Sequence, residues 1–349
     1  MPTHPATASG VGGVRAAPHA VAEGSAMRGQ PPAPGSSGFV RIAGFSSTFN
    51  GNGVWTMNSL LACFGDDAGD RLESFDWDSH GVSLPFAIFI TGRCGSTLLT
   101  NILQDSGLCG RPDEVFNEML VPSLNTKIHA SSFAQYFEGV VDHFKHNCKW
   151  GFEIDPLRFR VLDQTIDFLK VFPPAITRFL WMTRRDIVSQ AWSYAQAKKT
   201  GLWQMFSDGT EMRVQKNNAA SARLDDGIGD KEWWREIVNI VFGEKLMTDF
   251  FRRAGLQPYR LDYESLVCDR LGTVTRVLHT LGCSAAKIES FLPRLEDRTA
   301  RQIYTDRYAE MARFLERYGA LLQEIDQNRG MIDSGYVRRN LNEQYRLGI

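Results

Sequence analysis

Residues 85–99, PFAIFITGRCGSTLL, decide how this chain is read. The apolar run at 86–90 has the length and composition of a buried strand. Gly92 to Ser96 then forms a short glycine-bearing turn, and an amphipathic helix starts at Thr97. A strand–turn–helix unit aims backbone N–H groups and the positive end of a helix at one spot, which makes an anion site. It is not a Gly-x-x-x-x-Gly-Lys-Ser/Thr phosphate loop, because Gly95 and not lysine precedes Ser96. Arg93 is the one cation in the turn, which suits a phosphate or phosphosulfate held without a loop lysine. Taken alone, the segment also fits an ordinary connection between a strand and a helix.

Outward from this stretch, strand and helix patterns alternate. A strand at 149–154 precedes a helix at 157–170. Another at 177–183 precedes a helix at 186–199, and a third at 257–262 precedes a helix at 264–281. Repeated βα units predict an α/β fold of the P-loop-like, three-layer α/β/α kind with a mainly parallel central sheet. Ligands bind such sheets at the carboxyl ends of the strands, where the turns bearing Arg93 and Arg184 fall. Residues 1–38 are rich in Gly, Ala, Pro and Ser and are expected to be disordered. Residues 39–349 are expected to form one domain, with an N-terminal extension at 39–84 and the core at 85–330. Asn50-Gly51 and Asn52-Gly53 suggest a hairpin within 39–62. The polar stretch 200–235, with Trp233-Trp234, fits a cap or partner surface, or equally a solvated loop followed by a helix docked through its tryptophans. Two helical patterns fall within 300–328, and the last 20 residues are polar and expected to be peripheral.

Composition narrows the classes of function. Lys and Arg number 39 against 40 Asp and Glu, a net charge of −1, so a positive site must be local and non-specific nucleic-acid binding is not expected. No stretch approaches the length of a membrane span, and the N-terminus lacks the apolar region of a signal peptide. The six cysteines have neither paired nor metal-ligand spacing, which suits reduced thiols in a cytoplasm.

Three segments in order carry a resemblance. They are the 92–97 turn, Gly110-Arg111-Pro112-Asp113-Glu114-Val115-Phe116, and Thr183-Arg184-Arg185-Asp186 running through Ser193 to Thr200-Gly201-Leu202-Trp203. Together they resemble the bacterial carbohydrate sulfotransferases of the trehalose 2-sulfotransferase and nodulation-factor sulfotransferase type, over residues 85 to about 270. The resemblance implies sulfuryl transfer from 3′-phosphoadenosine 5′-phosphosulfate (PAPS) to a carbohydrate or glycolipid hydroxyl, and a homodimer. The alternatives are a nucleotide kinase or phosphotransferase, for which the loop lysine and a Mg²⁺-binding aspartate are not evident, and a non-catalytic module that binds the desulfated product, PAP.

Such a transfer needs an anion cradle, a hold on the 3′-phosphate and a base for the acceptor hydroxyl, with no metal. The cradle is assigned to Arg93, to the backbone N–H groups of Cys94, Gly95, Ser96, Thr97 and Leu98, and to the Ser96 and Thr97 hydroxyls. Cys94 reads as a small loop residue, since no base accompanies it. For the 3′-phosphate, sulfotransferases in general select Arg185 with Ser193, whereas the closer family selects Arg184; Arg184 with Ser193 is preferred. The resemblance makes Glu114 the base, with Asp113 its rival, and gives the acceptor side to Arg111, Pro112, Asp113 and Phe116. The histidines His129, His143 and His146 sit on polar stretches without a partner motif. Tyr263-Glu264-Ser265-Leu266 reads as a structural helix start. Arg298 and Arg301 fall where a last donor-binding segment is expected, but equally fit a helix surface. Two departures concern the acceptor: Gly92 stands where the family commonly has a glutamine, and Glu153, in Trp150-Gly151-Phe152-Glu153, stands where it has a lysine.

Overall fold

The computed structural model describes residues 60–64, 72–205, 211–213, 227–295 and 307–349. The expectations for 1–38, for nearly all of 39–62, and for Arg298 and Arg301 lie outside these residues. The strands are β1 (Leu84–Ile90), β2 (Lys149–Ile154), β3 (Arg178–Thr183), β4 (Leu202–Met205), β5 (Glu211–Arg213) and β6 (Tyr259–Asp262). Four of them form one parallel sheet in the order β2-β1-β3-β6, and β4 pairs antiparallel with β5. This is the α/β fold with a parallel sheet that the sequence predicted.

Both faces of the sheet are covered, so β1 is buried from Pro85 onward and shows no polar alternation. Its alternate residues serve two cores. Phe86, Ile88 and Ile90 enter a largely aliphatic layer with Leu180, Met182 and Leu261, under the helices Ser96–Ser106 and Arg270–Thr280. Ala87 and Phe89 enter an aromatic layer with Phe152, Phe159, Phe168 and Phe250, under Phe133–Phe144, Pro156–Thr165 and the second half of Asp230–Arg253. The chain after β1 turns towards β2 on one side, and the chain after β3 turns towards β6 on the other. A crevice therefore opens between the carboxyl ends of β1 and β3, where ligands of such sheets bind.

Several elements differ from the sequence expectation. The helix expected at 157–170 is broken into Pro156–Thr165 and Phe168–Val171, because Ile166 leaves it to bridge Leu72. The helix expected at 264–281 is broken at Asp269, whose carboxylate accepts from the Gly272 amide (3.1 Å) and caps a new helix. Within 300–328 a single helix is described, Arg307–Gln327. The last residues are not peripheral: in the helix Ser334–Gln344, Val337 and Leu341 lie one turn apart and are fully buried. They join a third core with Trp233, Trp234, Phe314 and Tyr318. The tryptophan pair thus docks its helix, the second of the readings open for 200–235. Trp233 stacks on Phe314 at 4.2 Å and donates to the Val188 carbonyl (2.9 Å), tying this core to the helix that follows β3. The Cys109 and Cys283 thiols, far apart in sequence, meet at 3.5 Å in the core. No described helix is long and apolar enough to cross a membrane.

Trp234 is fully buried between Phe314 and Tyr318. Trp234→Ala is expected to destabilise the fold by ~3–5 kcal/mol, the usual result of emptying so large a core volume, measured by urea unfolding.

Candidate active site

The turn after β1 is held in an unusual backbone conformation. Arg93 has φ +65° and Gly95 φ +89°. The first is strained for a residue with a side chain, by about 1–2 kcal/mol. It persists because the side chain is clamped: Arg93 Nε donates to Ser193 Oγ (3.0 Å) and Nη1 to the Trp203 carbonyl. Gly95 is required on two counts, its positive φ and the Tyr263 ring, which lies 2.4 Å from where a Cβ would be. No side chain caps the helix Ser96–Ser106 at Gly95, and its amino end faces the crevice.

Gln190 fixes this turn to the neighbouring element. Fully buried in the helix Ile187–Thr200, it donates from Nε2 to Thr91 Oγ1 (2.8 Å) and to the Gly92 carbonyl (2.9 Å). Gly92 itself abuts Tyr194, whose ring would be 2.7 Å from a Cβ there. The absence of the family's glutamine is thereby explained locally, because Tyr194 fills the space a side chain would need. Cys94 is fully buried, and burial pushes its thiol up to about 12, so it stays neutral and is no nucleophile. Two of the amides assigned to the cradle are used within the chain: Cys94 N–H donates to the Thr91 carbonyl and Leu98 N–H to the Gly95 carbonyl, both at 3.1 Å. The Leu98 side chain packs in the aliphatic core. Arg93, Gly95, Ser96 and Thr97 remain at the crevice.

The two arginines after β3 have different surroundings. Arg185 is largely exposed and paired with Asp262 (3.1 Å) and Glu264 (3.7 Å). Arg184 lies over the Tyr263 ring, 4.7 Å from its centroid, and its Nε is buried without a hydrogen-bond partner among the described residues. Burial lowers its pKa, although a guanidinium keeps its charge. A buried cationic donor without an acceptor is incomplete on its own, and an anion completes it. Tyr263, read from sequence as structural, thus packs against both halves of the crevice, Gly95 on one side and Arg184 on the other. Ser193 is joined to Arg93, so the cradle and the 3′-phosphate candidates form one connected set. Arg329, beyond the segments that carry the resemblance, donates to the Arg184 and Arg185 carbonyls (3.1 and 3.2 Å) while paired through two nitrogens with the buried Glu244.

The 111–116 segment lines the other wall. Glu114 accepts from Asn117 Nδ2 and lies 3.8 Å from Arg158, which is itself held by Glu118 and Asp155. Burial raises the Glu114 pKa above the ordinary carboxylate range, and Arg158 opposes that rise. Asp113 accepts from the Glu114 amide (2.8 Å) and lies 3.6 Å from Arg111. Arg111 is exposed and lies over Phe144, 5.4 Å from its centroid, and Pro112 is buried. Phe116 is not at the surface of the site: it is 1% exposed among Phe133, Phe137 and Phe152, where it anchors the segment. Glu153, at the end of β2, donates its amide to the Asp113 carbonyl (3.1 Å) and joins this wall to the sheet. Among the described residues, no group of three or more His, Cys, Asp or Glu side chains gathers as a metal site.

A family model, Stf0 sulphotransferase, matches residues 85–149 and 160–311. The chain belongs to that family. It is an enzyme family, and PAPS is the sulfate donor it implies. The matched region contains both arginine-bearing turns and the Glu114 segment, and it ends before Arg329. No match is found among curated proteins.

Sequence reasoning did not identify Gln190, Tyr194 or Arg158 as parts of the site. Gln190, Ser193 and Tyr194 are spaced to share one face of a helix, which was legible once Ser193 was chosen. By contrast, Ser189, on the same turn spacing as Ser193, is buried with its hydroxyl near Met311 and plays no part in the crevice. Arg329 carried no sequence signal.

Arg329→Met leaves Glu244, whose side chain is 4% exposed, as an unpaired buried acid. It is expected to lower unfolding stability by ~3–5 kcal/mol, the usual loss when one partner of a buried pair is removed, measured by denaturant titration.

Proposed function

We propose that this protein transfers the sulfuryl group of PAPS to a hydroxyl of a carbohydrate or glycolipid. The observation that carries this reading is the buried Nε of Arg184, which has no hydrogen-bond partner among the described residues, together with the amino end of the helix Ser96–Ser106 and the Arg93 clamp. PAPS brings about four negative charges and a sulfuryl group whose S–O bond breaks as charge grows on the bridging oxygen. The residues on the donor side fit that demand. Arg93 and the amino end of Ser96–Ser106 supply fixed donors in a partly buried place, where such interactions are stronger than in water. Arg184 supplies the second cation, for the 3′-phosphate. Arg185 is the poorer candidate, since two carboxylates already satisfy it.

Glu114 acts as base. Its raised pKa makes it a better proton acceptor than an ordinary carboxylate, and Arg158, 3.8 Å away, favours its charged form. Asp113 orients the segment through the Glu114 amide. The acceptor hydroxyl gives its proton to Glu114 as its oxygen bonds to sulfur, and the bridging oxygen leaves with PAP. The carbohydrate class rests on family membership; Gly92, Tyr194 and Glu153 reshape the acceptor wall, so trehalose itself is not proposed.

Three measurements test this. Arg184→Ala is expected to weaken PAP binding by ~1.5–3 kcal/mol, the value of a hydrogen bond to a charged group, while Arg185→Ala leaves it within about threefold; calorimetry reading the reverse order overturns the assignment. Glu114→Gln is expected to retain PAP affinity and lose ~10²–10⁴ in turnover with a sulfated-acceptor readout. In the unmutated enzyme the base works only when ionised, so kcat/KM falls as pH drops through a pKa above the usual carboxylate value of about 4.3. An acid limb below that value would exclude Glu114 as the base.

A further inference from the structure

Glu153 is a carboxyl where a cation would be expected. It sits at the carboxyl end of β2, between the wall that carries Glu114 and the helix that forms the cradle, and it is 5% exposed. One of its oxygens is hydrogen-bonded to Ser96, the first residue of the cradle helix, and the other, Oε2, is buried with no partner among the described residues. The groups that act on it are Asp113 and Glu114 from the facing segment, Asp155 from the start of the next helix, and the Cys94 thiol from the turn. All of these are acidic or neutral. A carboxylate there would lack compensation for one oxygen and lie beside three other carboxylates.

We propose that Glu153 holds a proton while the donor is bound, and that this buried acid, joined to Ser96, makes donor affinity depend on that proton. The inference rests on the reading of the 92–97 turn as the donor cradle. A full charge in a site of this burial is strongly disfavoured, and here the hydrogen bond from Ser96 opposes that penalty at one oxygen, with none at Oε2 among the described residues. Burial accordingly moves the group well above the ordinary carboxylate range, with its acidic neighbours adding to the shift. An anionic ligand next to Ser96 pushes in the same direction. Of the two glutamates, Glu114 has Arg158 and Asn117 to stabilise its charge and Glu153 has neither. The environments therefore divide the roles, with Glu114 ionised to accept the proton of the acceptor and Glu153 neutral to leave the cradle uncharged. A lysine at this position would remove the repulsion by carrying a positive charge; Glu153 removes it only while protonated.

The sign follows from linkage. A ligand that requires one bound proton binds about tenfold more weakly for each pH unit above the titration of that group. PAP binding is to be measured by calorimetry from about pH 5 to pH 10 for the native enzyme and for Glu153→Gln, which keeps the shape and is always neutral. The native enzyme is expected to lose affinity along that slope above the pH at which Glu153 titrates, and the glutamine variant to match it at low pH and lack the loss. Parallel curves for the two proteins overturn the proposal. Should the variant fail to fold, the native enzyme decides alone: PAP binding in buffers of different ionisation heat is expected to show net proton uptake, beyond that of the PAP phosphates themselves, over the pH range in which affinity falls. Zero uptake there overturns the proposal. Absence of PAP binding at every pH overturns both this inference and the donor-cradle reading, whereas pH-independent binding leaves that reading standing.

Discussion

Everything at the site follows from how a parallel sheet is connected. Neighbouring strands β1 and β3 send their following turns in opposite directions, to β2 and to β6. The backbone cannot fill the gap this leaves, and the amino ends of two helices border it. Groups of opposite demand are then sorted by wall. The β1 and β3 turns bring Arg93 and Arg184, and the end of β2 with the segment pinned to it brings Glu153, Asp113 and Glu114. An anionic donor and a hydroxyl to be deprotonated need that arrangement: cations where charge accumulates and a carboxylate where a proton leaves.

Rigidity of the turns comes from neighbours more than from the turns themselves. A residue with a side chain at φ +65° relaxes unless its surroundings over-determine it. Gln190, Ser193 and Tyr194, all on the helix after β3, supply this constraint for the turn after β1. Arg329 supplies it for the turn after β3, from the C-terminal part of the chain. Each arm of the donor site is therefore braced by an element that follows it in sequence. The third core, with Trp233, Trp234, Phe314 and Tyr318, holds the Ile187–Thr200 helix that does the bracing and is close-packed and unyielding.

Burial divides the charged groups between structural and chemical duty. Arg158, enclosed by Glu118, Asp155 and Glu114, is satisfied and orders the acidic wall. Arg185 is satisfied at the surface. Of the charged groups on the two walls, Arg184 and Glu153 each carry a buried atom with no partner among the described residues, and their chemistry is incomplete without a ligand or a proton.

The sequence by itself determined the βα alternation, the turn at 92–97, the two arginine-bearing strand ends and the acidic segment. These are local signals: an apolar run, a glycine that permits positive φ, a helix start and short spacings need no knowledge of partners. It also placed the alternatives Arg184 and Arg185 side by side without a physical means of separating them. The tertiary structure gives them different surroundings, because pairing with Asp262 and Glu264 or stacking on Tyr263 depends on residues about eighty positions away. It also moved Phe116 into the core, revealed Gln190 and Arg329 as braces, and surrounded Glu153 with acids. Charge state and orphaned atoms are properties of what surrounds a side chain, and chain folding alone decides the surroundings.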